Sequence, residues 1–152
     1  MALEIGDVAP NFKSKDQDGK DIELSSFIGK KIILYFYPKD NTPGCTAQAC
    51  NLRDNYEVLQ SKGYVVLGVS VDDEKSHTKF IQKFDLPFPL VADTDHAIVE
   101  SYGVWVEKNM YGRKYMGIAR TTFVIDSNGL IAEIITKVNT KEHASQILEE
   151  DK

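Results

Sequence analysis

The sequence predicts an α/β domain built on a mixed central sheet flanked by helices. Three observations carry this. Short apolar runs rich in β-branched and aromatic residues alternate with helical patterns, the order of a parallel α/β core. Two later runs, residues 121–125 and 130–135, flank Asp126-Ser127-Asn128-Gly129, a turn that makes a hairpin and so adds antiparallel strands. No Pro/Gly/Ser-rich linker, repeat or low-complexity stretch divides the 152 residues, so one domain with one sizeable core is expected.

Residues 11–25 read as two short strands around Asp18-Gly19, an N-terminal β-hairpin. Residues 32–37 are continuously β-branched, aliphatic or aromatic and are closed by Pro38, so they form a central strand buried on both faces. After Lys39-Asp40-Asn41 a helix is expected over about 43–61, with Thr42 as its cap, Pro43 at its first position and Leu52, Tyr56 and Leu59 as its apolar stripe. Residues 64–71 are a second buried strand and 74–84 a helix with Phe80, Ile81 and Phe84 facing inward. Pro87 and Pro89 precede a strand at Leu90-Val91, residues 93–102 form a short helix ending at Gly103, and a last helix covers about 140–150. Residues 108–115 are basic and aromatic and read as a solvated loop edging the site, while Trp105 reads as packing.

Charge and composition narrow the function. Asp and Glu number 23 against 18 Lys and Arg, a net charge of −5, which leaves no basic excess for nucleic acid. No apolar run approaches the ~20 residues that span a bilayer. The two cysteines, Cys45 and Cys50, are too few for a secreted disulfide scaffold or a four-ligand zinc site. His77, His96 and His143 are far apart in the sequence and read as solvated rather than as metal ligands. A cytoplasmic location is expected.

The segment from Tyr37 to Cys50 joins a buried strand to a helix, and ligand sites of open α/β sheets lie at the carboxyl ends of strands. Cys45 falls in the first helical turn, where unpaired backbone N–H groups and the helix dipole favour an anion, so the position favours the nucleophilic thiolate. Thr42, three residues earlier, is close enough to hydrogen-bond the sulfur or a bound oxygen, and Gly44 leaves backbone exposed beside it. Without that context a cysteine is more often a small buried hydrophobe. Arg120, one of three arginines, stands at the entry to an otherwise apolar strand, suited either to a surface salt bridge or to stabilising a thiolate. Arg53 reads as structural.

In an intact helix, positions five apart have Cα atoms roughly 8–9 Å apart, beyond the ~7 Å limit of a disulfide. Either Cys50 is core, or the first turns unwind during function. Thr46-Ala47-Gln48-Ala49 carries little apolar side chain to oppose that. A dithiol reductase wants Cys-x-x-Cys; the longer spacer argues that Cys45 reacts alone first, giving a sulfenic acid that condenses with a second thiol.

Pro38-x-x-x-Thr42-x-x-Cys45 resembles the active-site signature of peroxiredoxins, and the fuller run from Tyr35 to Thr46 resembles the bacterioferritin comigratory protein, or Q-type, subgroup. Gly6-Asp7-x-Ala9-Pro10-x-Phe12, Leu67-Gly68-Val69-Ser70, Phe88-Pro89-Leu90-x-x-Asp93, Tyr102-Gly103-Val104-Trp105 and Gly117-Ile118-x-Arg120-x-Thr122-Phe123-x-Ile125-Asp126 extend the resemblance over nearly the whole chain. It implies a thioredoxin-like fold with the N-terminal hairpin as an extension. It also implies reduction of hydrogen peroxide and organic hydroperoxides without metal or flavin, thioredoxin as the external reductant, and a monomer. By the same resemblance Cys45 matches the peroxidatic cysteine and Cys50 the resolving cysteine of the Cys45–Cys50 disulfide. Thr42 matches the peroxide-holding threonine, Pro38 the shielding proline and Arg120 the active-site arginine. Gln48 stands where many members carry glutamate, so a charge partner of Arg120 is replaced by a neutral hydrogen-bonding group. Two other readings use the same residues: a thiol-disulfide reductase, and a non-catalytic thioredoxin-fold binding module.

Overall fold

The computed structural model describes residues 3–150, and the side chains of residues 3–148. Its elements are β1 (Lys13–Lys15), β2 (Asp21–Glu23), a short 3-10 turn (Leu24–Phe27), β3 (Lys31–Phe36), α1 (Pro43–Asp54), α2 (Tyr56–Ser61), β4 (Tyr64–Ser70), α3 (Glu74–Phe84), β5 (Leu90–Ala92), α4 (Ala97–Ser101), β6 (Trp105–Met110), β7 (Arg113–Ile118), β8 (Thr121–Ile125), β9 (Ile131–Ile135) and α5 (His143–Glu150). Seven strands form one mixed sheet in the order β2-β1-β5-β4-β3-β8-β9. The middle strands β3, β4 and β5 are parallel, while β1 joins β5, β8 joins β3 and β9 joins β8 antiparallel. The fold is thioredoxin-like, as the resemblance implied, and β1–β2 extends the sheet at one edge.

The unbroken apolar run of β3 works because both faces of the strand are covered. Ile32, Leu34 and Phe36 enter one core with Leu67, Val69, Phe123 and Ile125. Ile33, Tyr35 and Tyr37 enter the other with Leu52, Val66, Phe80 and Leu90, and Cys45 and Ala49 lie in that second core. This places α1 on the Tyr35 face. The antiparallel register sets Phe36 opposite Thr121, so the start of β8 lies beside the carboxyl end of β3.

Four expectations are corrected. The helix expected over about 43–61 is broken at Asn55, whose backbone is non-helical (φ −110°, ψ 10°) and whose side-chain amide donates to Asn51 O at 2.8 Å, the kind of local side-chain bond that competes with helix propagation. Residues 108–115 are no loop but the closing half of the β6–β7 hairpin, whose turn residues Tyr111 (φ 53°) and Gly112 (φ 80°) are both left-handed. Tyr-Gly is a weaker hairpin signal than Asn-Gly, which is why the turn passed unrecognised. His77 and His143 are not solvated; both are fully buried. The short helix expected from 93 starts only at Ala97, because the Asp93 carboxylate folds over to accept from the Ile98 and Val99 N–H groups, at 3.1 and 2.9 Å. Among the described residues no helix is long and apolar enough to cross a membrane.

Candidate active site

The strand-to-helix turn brings the predicted residues together. Pro43 opens α1, which puts Cys45 in its first turn with the sulfur turned inward; the residue is 1% exposed and the thiol is free. Arg120 reaches it from the start of β8: Nη2 donates to Cys45 Sγ at 3.4 Å and Nη1 to Gln48 Oε1 at 2.6 Å. Cys45 and Gln48 are three apart, one helical turn, so a single planar guanidinium spans both. Gln48 thus keeps the acceptor that positions Arg120 while bringing no charge next to the sulfur. Its Nε2 is buried without a hydrogen-bond partner.

Gly44 is required by a close approach. A Cβ there would lie 3.1 Å from Arg120 Nη2, so a side chain would displace the guanidinium by a few tenths of an ångström. Thr42 occupies the N-cap position, but its hydroxyl donates to Lys39 O at 2.9 Å and makes no cap bond, a correction to the expected capping role. Pro43 has no N–H and the Thr46 N–H already bonds Thr42 O at 2.8 Å, so the backbone donors that the Thr42 side chain leaves uncapped in this turn are those of Gly44 and Cys45. Pro38 is half-buried, two residues past the end of β3. Cys50 lies on the same unbroken α1, half-buried, also as a free thiol. The helix is therefore intact between two thiols that its geometry keeps apart.

Sequence reasoning missed two groups. Beneath the loop, the buried Asp40 carboxylate accepts from Tyr37 Oη at 2.5 Å and Ser76 Oγ at 2.8 Å and meets His77 Nδ1 at 2.7 Å; His77 Nε2 lies 3.0 Å from Val91 O. Burial, then the Asp40 charge, pushes the Tyr37 phenol well above its ordinary value, so it stays a donor. The signal was present: His77 stands three residues before Phe80, on the inward stripe of α3. The second group is Lys108, whose stem lies flat against Gly117, where a Cβ would be 3.2 Å from Lys108 Cδ. Burial and then Arg120 push its ammonium below the usual lysine value, while charge on Cys45 opposes them. The hairpin does edge the site, as expected of the loop it replaced.

The remaining candidates have other work. Arg53 donates to Phe84 O at 2.7 Å and pairs with Asp54, a structural role. His96 packs on Trp105 with ring centroids 4.4 Å apart. Among the described residues no group of three or more His, Cys, Asp or Glu is placed to hold a metal ion.

Residues 5–134 match the AhpC/TSA family. The chain is 47% identical over 148 residues to the putative peroxiredoxin bcp of Coxiella burnetii, covering 97% of this chain and 98% of that one. It belongs to the Bcp/PrxQ peroxiredoxins. Peroxiredoxin Bcp of Bacillus subtilis is 44% identical, over 98% of this chain and 95% of its own. A PrxQ cysteine-to-serine mutant from Xylella fastidiosa superposes with a TM-score of 0.92 at 33% identity, covering 99% of this chain and 96% of that one. The bacterioferritin comigratory protein of Xanthomonas campestris, whose structures address its alkyl peroxide reduction activity, superposes at 0.89 with 34% identity, covering 98% and 94%. As a Bcp/PrxQ peroxiredoxin the chain is a thiol peroxidase, and the site holds what such chemistry needs: a buried thiol at a helix start under a fixed guanidinium.

Proposed function

We propose that this peroxidase reduces hydrogen peroxide and organic hydroperoxides through Cys45, resolves through a Cys45–Cys50 disulfide and is recycled by thioredoxin. The observation that carries the reading is the Arg120 contact to Cys45 Sγ at 3.4 Å in the first turn of α1. The Cys45 thiolate attacks one peroxide oxygen, the O–O bond breaks, and the other oxygen leaves as hydroxide or alkoxide, which takes a proton from water. Arg120, the backbone N–H groups of Gly44 and Cys45 and the Thr42 hydroxyl hold the two oxygens and stabilise the leaving charge, with Pro38 shielding the thiolate. Gln48 holds Arg120 in place.

The Cys45 sulfenic acid then leaves the pocket as the helix start unwinds. The Cys50 thiol attacks it, an S–S bond forms and water departs. A thioredoxin dithiol takes over the disulfide, two electrons restore both thiols, and the helix reforms. Resolution within one chain needs no partner subunit, which supports a monomer. The electrons come from the external dithiol, so the cycle calls on no metal or flavin. The net charge of −5 and the bacterial Bcp relatives support a cytoplasmic antioxidant role apart from nucleic acid and membrane.

The test is peroxide consumption coupled to thioredoxin oxidation. Cys45→Ser is expected to abolish turnover with every peroxide. Full multiple-turnover activity in that variant sinks the proposal.

A further inference from the structure

Residues 41–50 lie between two clamps. Upstream, the Asp40 backbone N–H donates to Asp72 Oδ2 at 2.8 Å, Asp72 is held in turn by Ser70 Oγ at 2.7 Å, and the Asp40 carboxylate is locked to Tyr37, Ser76 and His77. Downstream, Asn51 Nδ2 donates to Lys141 O and Asn51 Oδ1 accepts from the Ala144 N–H, each at 2.8 Å, tying α1 to the start of α5. Two residues on, Arg53 ties α1 to the end of α3. Among the described residues, the side-chain polar ties from 41–50 to other elements run to Arg120 and, at the edge of the segment, from Lys83 Nζ to Asn41 Oδ1 at 3.4 Å. One half of the Arg120 tie ends on the sulfur that peroxide oxidises, and the other ends on Gln48 Oε1.

We propose that Asn51 and the Asp40–His77 pair are positioning residues for the disulfide step, fixing the two ends of the segment that unwinds so that opening is confined to residues 41–50. The proposal rests on the Cys45–Cys50 chemistry above. Local opening follows the regions with the fewest ties, and here the ties change abruptly at Asp40 and at Asn51. With Asn51 fixed, Cys50 is one residue from an anchored point, so its sulfur stays near its place and Cys45 does the travelling. A short loop with both ends held keeps the effective concentration of one sulfur at the other high. The competing downstream limit is the helix break at Asn55, which would free Asn51 to Asp54 as well.

The experiment is amide hydrogen exchange on the full chain, reduced and peroxide-treated, with mass spectrometry. Exchange is expected to rise over 41–54, because the helical N–H groups of 51–54 bond the carbonyls of 47–50, and to stay unchanged at 37–40 and at Asn55, whose N–H is held by Asn51 O. A rise that includes the Asn55 N–H, or one that starts upstream of Asp40, overturns the proposal. In stopped flow, Asn51→Ala is expected to leave the peroxide-dependent phase within about twofold, because ground-state and transition-state contacts of Cys45 are untouched. The closure phase is expected to slow by about 1.7-fold relative to the peroxide-dependent phase, the cost of lengthening the free segment from ten residues to fourteen. Equal slowing of both phases, or of neither, contradicts a positioning role. Should Asn51→Ala not fold, the wild-type exchange pattern decides alone. If treated protein shows no intramolecular disulfide by mass, the Cys45–Cys50 reading has failed instead.

Discussion

Cys45 and Cys50 share one helix and one oxidation state, yet their surroundings are opposed. Cys45 is fully buried in the first turn, inside the core on the Tyr35 face, with Arg120 on its sulfur. Cys50 is half-buried near the middle of α1, three residues before Arg53, with which it interacts electrostatically, and the Asn51 clamp lies beside it. The difference teaches that reactivity and availability have been separated along twelve residues of helix. One thiol lies under a guanidinium where it cannot reach its partner, and the other lies next to a fixed point. Only loss of helix joins them.

Four changes break or sharpen this contrast. The largest effect is expected from Arg120→Met, which strips Cys45 of its cation and leaves Gln48 Oε1 unpaired. By analogy with loss of one oxyanion donor, the second-order rate with peroxide falls by about 10² or more, roughly 2.7–4 kcal/mol, while Cys50 alkylation is unchanged. Next, Cys50→Ser removes only the second thiol. The first turnover stays within about twofold and stops at sulfenic acid, but thioredoxin-linked cycling drops at least about tenfold, a split between chemistry and regeneration read by single-turnover against steady-state assay. Gly44→Ala tests whether the contrast depends on close approach. The added Cβ displaces Arg120 Nη2 by a few tenths of an ångström, and the expected loss is about three- to tenfold in the first step with resolution unaffected.

The smallest effect is on stability. Burial, helped by Arg120 and opposed by the Gln146 hydrogen bond, holds His143 below the ordinary histidine value. The unfolded chain takes up that proton at about pH 6.5, before the native state does, so this stability is complete above about 6.5 and is lost as pH falls through the window below it. The midpoint of thermal unfolding should decline from about pH 7 to 5, and less steeply in His143→Gln. Asp93, raised chiefly by burial, works in the opposite sense at lower pH, so the comparison is made above about pH 5.

How much of this was legible in the sequence depends on the range of the interaction. The sheet strands, the hairpin at Gly129 and the nucleophile at the helix start follow from local periodicity and turn chemistry. The meeting of Arg120 with Cys45 rests on the antiparallel pairing of their strands, which only the resemblance implied. The side chains of Asp40 and His77 are 37 residues apart in sequence and look like surface polar groups until α3 packs over the loop. Asn51 looks like any helical asparagine until the chain returns 90 residues later at Lys141. The Tyr111-Gly112 turn and the Asn55 break failed for a smaller reason, since each turns on the backbone state of one or two residues that tolerate several. Gln48 was the instructive case. Its amide seemed to forfeit a charge partner, and the structure shows the geometry of that partnership kept without the charge.

The central claim is that Cys45 reacts first and Cys50 closes on it within one chain. Mixing the reduced protein with one equivalent of hydrogen peroxide and following thiol count and intact mass tests it most directly. The account predicts loss of both thiols, a mass lower by two hydrogens and a single Cys45–Cys50 linkage in the peptide map. A stable oxygen adduct on Cys45 with Cys50 still titratable, or a disulfide joining two chains, would contradict it.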